Sequence, residues 1–171
     1  MSGSLIKVNE ATVSSATPSV TITGIDSTYD VYVLQITGLS TDVAENLEMR
    51  VTESGTENST FNYDRAAMGF KTSGSNDNNN GANADALDVS GSFINATTGN
   101  FNATIYIFNA TTSTGYTFFT FETSHYAGSE HYGNQGGGVF TSTSSVDGLF
   151  FQIDSANNID SGTFTLYGLK K

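Results

Sequence analysis

The chain has 171 residues and no cysteine, and its 17 acidic against 6 basic residues leave a formal net charge of −11. That length fits one domain with a core large enough to need no staples, and the absence of cysteine excludes a disulfide framework or a thiolate metal site. The acidity argues against nucleic acid and against an anionic membrane surface as partners, since both repel such a chain.

The first residues, Met1 to Lys7, lack the apolar run of a signal peptide, and no later stretch could span a bilayer. The expectation is a protein made in a cytoplasm, not secreted by a signal peptide and not inserted in a membrane. Asn58, Asn95, Asn102 and Asn109 begin N-x-Ser/Thr triplets, which read as chance in an Asn- and Thr-rich chain.

Thr, Val, Ile, Phe and Tyr are abundant, and Gly, Ser, Asn and Asp interrupt them at short intervals, the rhythm of a sandwich or barrel. In chain order, Ser19 to Thr23 alternates with Val20 and Ile22 on one face. Tyr29 to Thr37 carries bulk on both faces, as a central strand does. Leu47 to Glu53 turns Leu47, Met49 and Val51 inward and its charges outward. Asn58 to Lys71 is ambiguous: Phe61 and Tyr63 alternate, but Asp64 to Met68 would suit one helical turn. Residues 72–86 (TSGSNDNNNGANADA) read as a long polar surface loop. Phe101 to Asn109 and the aromatic run Tyr116 to Glu122 resume the strand pattern. Val139 to Thr141, Leu149 to Ile153 and Thr163 to Tyr167 complete eight or nine strands.

The fold expected is an all-β, antiparallel β-sandwich of one domain spanning 1–171. Its core would hold Val31, Val33, Met49, Val51, Ile105, Ile107, Phe119, Phe150, Ile153, Phe164 and Leu166. Asn-Ala-Thr recurs at a spacing of seven, at Asn95, Asn102 and Asn109, which suggests a favoured turn composition rather than a solenoid.

Both histidines lie in one segment, SHYAGSEHYG, at 124–133. Read as a loop, it offers His125, Tyr126, His131 and Tyr132 as a recognition surface, because these side chains pair a flat apolar face with a polar tip. Their spacing matches no zinc pattern. Asp77, Asp85 and Asp88 are the calcium candidates among many amides, without the acidic spacing or final Glu of an EF-hand, and no cofactor is expected. Gly136-Gly137-Gly138 lacks the lysine and helix of a phosphate loop, so it marks a turn or a close backbone approach. No G-x-S-x-G and no identifiable acid pair points to a hydrolase, and the expectation is that the protein is not an enzyme.

Three segments carry a resemblance. Gly24 to Tyr32 (GIDSTYDVY), Tyr106 to Asn109 (YIFN) and Ser161 to Gly168 (SGTFTLYG) resemble, in the same order, a group of small structural or tail-fibre-like proteins of tailed bacteriophages, especially marine ones. The resemblance implies a jelly-roll virion structural protein, with no catalytic residue to carry over. It implies other virion proteins, of capsid or tail, as partners, and a homo-oligomer, a homotrimer foremost. Two roles fit: a tail-fibre or receptor-binding module contacting host surface glycan or protein, or a capsid decoration (cement) protein. A carbohydrate-binding cell-surface module of a microbe is the alternative. The segments at 72–86 and 124–133 depart most from the group's pattern, and a binding specificity could be grafted there.

Overall fold

The computed structural model describes residues 4–94 and 100–170, so the triplet at Asn95 lies outside the described residues. Period-two alternation and β-branched and aromatic side chains make strands almost throughout. The larger sheet has eight strands in the order β1 (Ser4–Val13), β13 (Ile159–Lys170), β3 (Val31–Thr41), β9 (Phe101–Phe108), β10 (Thr117–Ala127), β11 (Glu130–Phe140), β6 (Tyr63–Lys71) and β7 (Asn76–Ala84). The smaller has β2 (Ser19–Thr23), β12 (Gly148–Ile153) and β4 (Leu47–Glu53), with β5 (Thr56–Glu57) and β8 (Leu87–Asp88) both paired to β4. Every pairing is antiparallel.

The sheets share one core. Val20, Ile22, Met49, Val51, Leu149 and Phe151 of the smaller sheet pack against Leu34, Ile36, Ile105, Ile107, Phe164 and Leu166 of the larger. Phe151 and Phe164 meet across the interface at 5.1 Å between ring centroids. The chain is thus an all-β antiparallel β-sandwich, as expected, though more finely divided than eight or nine strands. In chain order β1, β2, β3 and β4 alternate between the sheets, as do β8, β9, β12 and β13 after two in-sheet additions, the β6–β7 hairpin and the β10–β11 hairpin.

Several sequence readings need correction. Residues 72–86 are not a long loop: Asn76–Ala84 is an edge strand, with Met68 opposite Asn78 and Ala66 opposite Asn80. An edge strand needs no apolar side chains when its polar ones find partners. Here Asp77 pairs with Lys71 at 2.6 Å and Asn79 bonds the Tyr132 hydroxyl at 2.7 Å. Asp64 to Met68 lies within β6, not in a helical turn. On β3 the core face is Tyr32, Leu34 and Ile36; Val33 is buried but lies on the opposite face, and Val31 is only part-buried. Phe150 is also part-buried, between buried Leu149 and Phe151. β1 escaped the reading because a bulge between Lys7 and Asn9 breaks its alternation.

The three resembling segments end on adjacent strands. β13 pairs with β3 and β3 with β9, so Gly168, Tyr32 and Ile107, one from each segment, stand in one cross-strand row. The start of the first segment is organised by the Tyr32 hydroxyl, which accepts from the Asp26 N–H at 2.9 Å and has the Asp26 carbonyl and carboxylate each at 2.8 Å as acceptors. Tyr29 meets Tyr32 edge-on at 5.6 Å and lies against Gly168, where a Cβ would come within 2.2 Å of its ring. Tyr32→Phe removes the hydroxyl and leaves the Asp26 groups without it. The expected loss is about 1–3 kcal/mol of unfolding free energy, read as a lower urea midpoint with an unchanged slope.

Candidate functional site

The two segments singled out for recognition come together in the fold. The β6–β7 and β10–β11 hairpins are neighbours through the β11–β6 pairing, with Tyr132 opposite Lys71 and Gly133 opposite Phe70. At their tips the Ser73 N–H donates to Glu130 Oε2 at 3.1 Å and the Thr72 N–H to the His131 carbonyl at 3.3 Å. The segment 124–133 is therefore a hairpin rather than a loop, closed by Gly128 and Ser129 with the positive φ (62°) that a tight turn requires of its first residue.

Strand alternation splits the four candidate residues. Tyr126 and His131 are a cross-strand pair on the outer face and are exposed. His125 and Tyr132 are the next pair and are buried on the inner face. The Tyr132 ring crosses Gly69, where a Cβ would sit 1.8 Å from its hydroxyl. That hydroxyl accepts from Asn79 Nδ2 at 2.7 Å and donates to the Gly91 carbonyl at 3.1 Å. His125 lies between Phe101 and Tyr132, with ring centroids at 5.5 and 5.3 Å. Tyr132 and His125 are thus parts of the lobe's own core and are not available to a ligand.

The calcium candidates are each engaged by a separate cation: Asp77 by Lys71 at 2.6 Å, Asp85 by Arg50 at 2.8 Å, and Asp88 by Arg65 at 2.7 Å. Asp88 Oδ1 also accepts from Ser90 Oγ and the Gly91 N–H, at 3.0 and 2.8 Å, which shapes the turn after β8. Among the described residues no group of three His, Asp or Glu side chains could hold a metal ion. Ser124 Oγ lies 2.9 Å from His131 Nε2, but no carboxylate bonds that ring among the described residues, and the pair sits on an open strand surface.

What the lobe does present, together with the adjoining frame strand β9, is an outer face. Phe118, Tyr106, Tyr126, Phe70 and Met68 are all exposed there. Between them the row Thr120–Gly137–Ala66 has almost no side-chain bulk. Two adjoining depressions result, of about 500 Å³ beside Tyr106, Glu122 and Gln135 and about 350 Å³ beside Phe118, Val139 and Asp64. The glycine run sits inside β11 and not in a turn. It is a close backbone approach: a Cβ on Gly136 would lie 2.5 Å from the Ala66 carbonyl oxygen, and one on Gly137 2.8 Å from that of Phe119. Sequence reasoning missed this face because its residues come from four strands whose register no single segment reveals.

No family model matches the chain, and no curated protein matches it. No helix among the described residues is long and apolar enough to cross a membrane.

Burial pushes the His125 imidazolium down to about pKa 4, against the weaker pull of the Ser92 backbone and Asp88, and neither ring nitrogen has a hydrogen bond of good geometry. The unfolded chain protonates this residue near pH 6.5 and the folded chain only near pH 4, so the unfolded state binds more protons between them. The stability held above pH 6.5 is therefore withdrawn as pH falls toward 4, by on the order of 3 kcal/mol. His125→Phe, which keeps a ring and removes the orphaned nitrogens, is expected to flatten that part of the stability–pH curve in denaturant titrations. Glu48, raised mainly by burial, contributes with the opposite sign and is common to both proteins. Gly136→Ala forces β11 from β6 and is expected to cost about 1–3 kcal/mol, seen first as faster amide exchange in β6 and β7.

Proposed function

We propose that the protein is a non-enzymatic structural protein of a bacteriophage virion, carried on the particle exterior as a binding module. The observation that carries this reading is the convergence of its resembling segments. GIDSTYDVY, YIFN and SGTFTLYG are far apart in sequence, yet the first two residues of β3 (Val31, Tyr32), the last three of β9 (Tyr106 to Phe108) and much of β13 come from them and meet as neighbours, with Tyr32 opposite both Gly168 and Ile107. Segments that meet in one sheet and bury one another's side chains are what a shared structural frame requires. The strand order supports the jelly-roll part of the reading. β1-β13-β3-β9 faces β2-β12-β4-β8, and the chain passes between the sheets as two interleaved Greek keys do.

The two hairpins added to that frame include the segments that depart from the resemblance. They place an exposed aromatic face beside the frame without disturbing its core. This favours the receptor-binding role, with the frame attaching to other virion proteins and the added lobe meeting a host surface glycan or protein. In the cement role the same face would instead lie against the capsid lattice. A homotrimer is the assembly expected of either.

Two substitutions on the exposed face, Tyr126→Ala and Phe70→Ala, leave the buried Tyr132 in place and so test binding without unfolding the lobe. Particles carrying both are expected to assemble with the protein in normal amount and to adsorb to host cells at least about tenfold more slowly. Normal adsorption with loss of DNA from heated particles would instead favour the cement role. Absence of the protein from purified particles would remove the virion reading altogether.

A further inference from the structure

The outer-face trough has a chemistry that selects among ligands. Its floor is the row Thr120–Gly137–Ala66, which crosses three strands spaced about 4.8 Å apart. Tyr106 borders one end of the floor, in the row shared with Thr120, and its ring stacks near-parallel with Phe108 at 6.4 Å and 15°. Phe118 stands one step along β10 on the same face. On the other side of the floor Gln135 Nε2 donates to Glu122 Oε1 at 2.8 Å. That bond ties the two long side chains together and leaves Glu122 Oε2 and the Gln135 side-chain oxygen as acceptors. Asp64, across the trough, uses Oδ1 to accept the Asn83 N–H at 2.8 Å.

Charge narrows the choice. Lys7, Arg50, Arg65 and Lys71 are all held in ion pairs with Glu10, Glu57, Asp85, Asp88 and Asp77. Of these only Arg65 lines the trough, and its guanidinium is held by the Asp88 carboxylate at 2.7 Å and the Asp88 carbonyl at 2.6 Å, so among the described residues an anionic ligand meets carboxylates and no free counter-charge. The strands of the floor already have both neighbours, so a peptide cannot add itself as a further strand there. The two bordering carboxylates stand on different strands and on opposite sides of the floor, too dispersed to clamp one cationic group. What matches is a ligand with apolar C–H faces for the rings and hydroxyl donors for the fixed acceptors.

We infer that this trough, between Tyr106, Phe118 and the Glu122–Gln135 pair, is a binding site for an uncharged oligosaccharide. The inference deepens the reading of the added lobe as a recognition surface and rests on it. Tyr106 supplies the stacking platform, and Glu122 with Gln135 sets orientation. Gly137 keeps the floor low enough for the sugar to reach both.

The test is titration of the full chain, followed by amide NMR, with maltohexaose, cellohexaose, mannohexaose, xylohexaose and chitohexaose. Polysialic acid, polygalacturonate and oligolysine are the charged comparisons. The expected result is that at least one neutral hexasaccharide shifts the Thr104, Thr120, Gly136 and Gly137 signals. Tyr106→Ala and Gln135→Ala should each weaken that binding about tenfold or more without moving the thermal midpoint. The inference is overturned if no neutral probe shifts those signals at millimolar concentration, if binding survives Tyr106→Ala, or if only a charged probe binds. A chain that stays on purified particles yet binds none of the sugars overturns this inference alone, whereas one that binds them but is absent from particles overturns the virion reading alone.

Discussion

An eight-stranded sheet that faces a much narrower one must cover the rest of its inner surface by other means, or leave aromatic side chains in water. Here the uncovered part is the inner face of β10, β11 and β6, with Phe119, Phe121, Tyr132 and Phe140. The segment from Ala84 to Ile94 folds across it and buries Leu87, Val89 and Ile94. Its path is fixed at both margins. The Val89 and Ile94 N–H groups donate to the carbonyls of Leu47 and Glu45 at 3.0 and 3.1 Å, and Arg65 holds Asp88 from the sheet side. Gly138 leaves room for the Leu87 methyls, which a Cβ would approach to 2.7 Å. The widened sheet, and with it the whole outer face, depends on this cover.

The same constraint explains why so many of the chain's few cations are spent inside the structure. Arg50 and Arg65 each join a strand to the covering segment through Asp85 and Asp88. Lys71 joins β6 to β7 through Asp77. Part-buried pairs of this kind hold register rather than add much net stability. Their consequence is at the surface, where the remaining carboxylates of a chain with net charge −11 set an acidic field.

Much of the frame was legible in the sequence because its strands alternate cleanly and bury one face. Leu47, Met49 and Val51, or Phe101, Ala103, Ile105 and Ile107, declare both strand and inner face. β7 was illegible for the converse reason. An edge strand of Asn and Asp is held by β6 pairing and by the side-chain partners Lys71 and Tyr132, and composition alone reads as loop. On β3 the two faces carry similar bulk, so only the packing of Phe164 and Ile105 against Leu34 and Ile36 decides which is the core. Of the four residues offered as a recognition surface, alternation within a hairpin sends His125 and Tyr132 inward while Tyr126 and His131 face out. The trough could not be read from any one segment, since Tyr106, Glu122, Gln135 and Ala66 become neighbours only through three strand registers.

The central claim is that a shared frame attaches to a virion while the added lobe faces outward. The most direct test is a cryo-electron microscopy map of purified particles in which this chain can be placed. The account predicts density for the sandwich on the particle exterior, with β1, β13 or the smaller sheet against neighbouring virion proteins and the outer face of β9, β10, β11 and β6 exposed. Particles with no such density, or with that outer face buried against the shell, would contradict it.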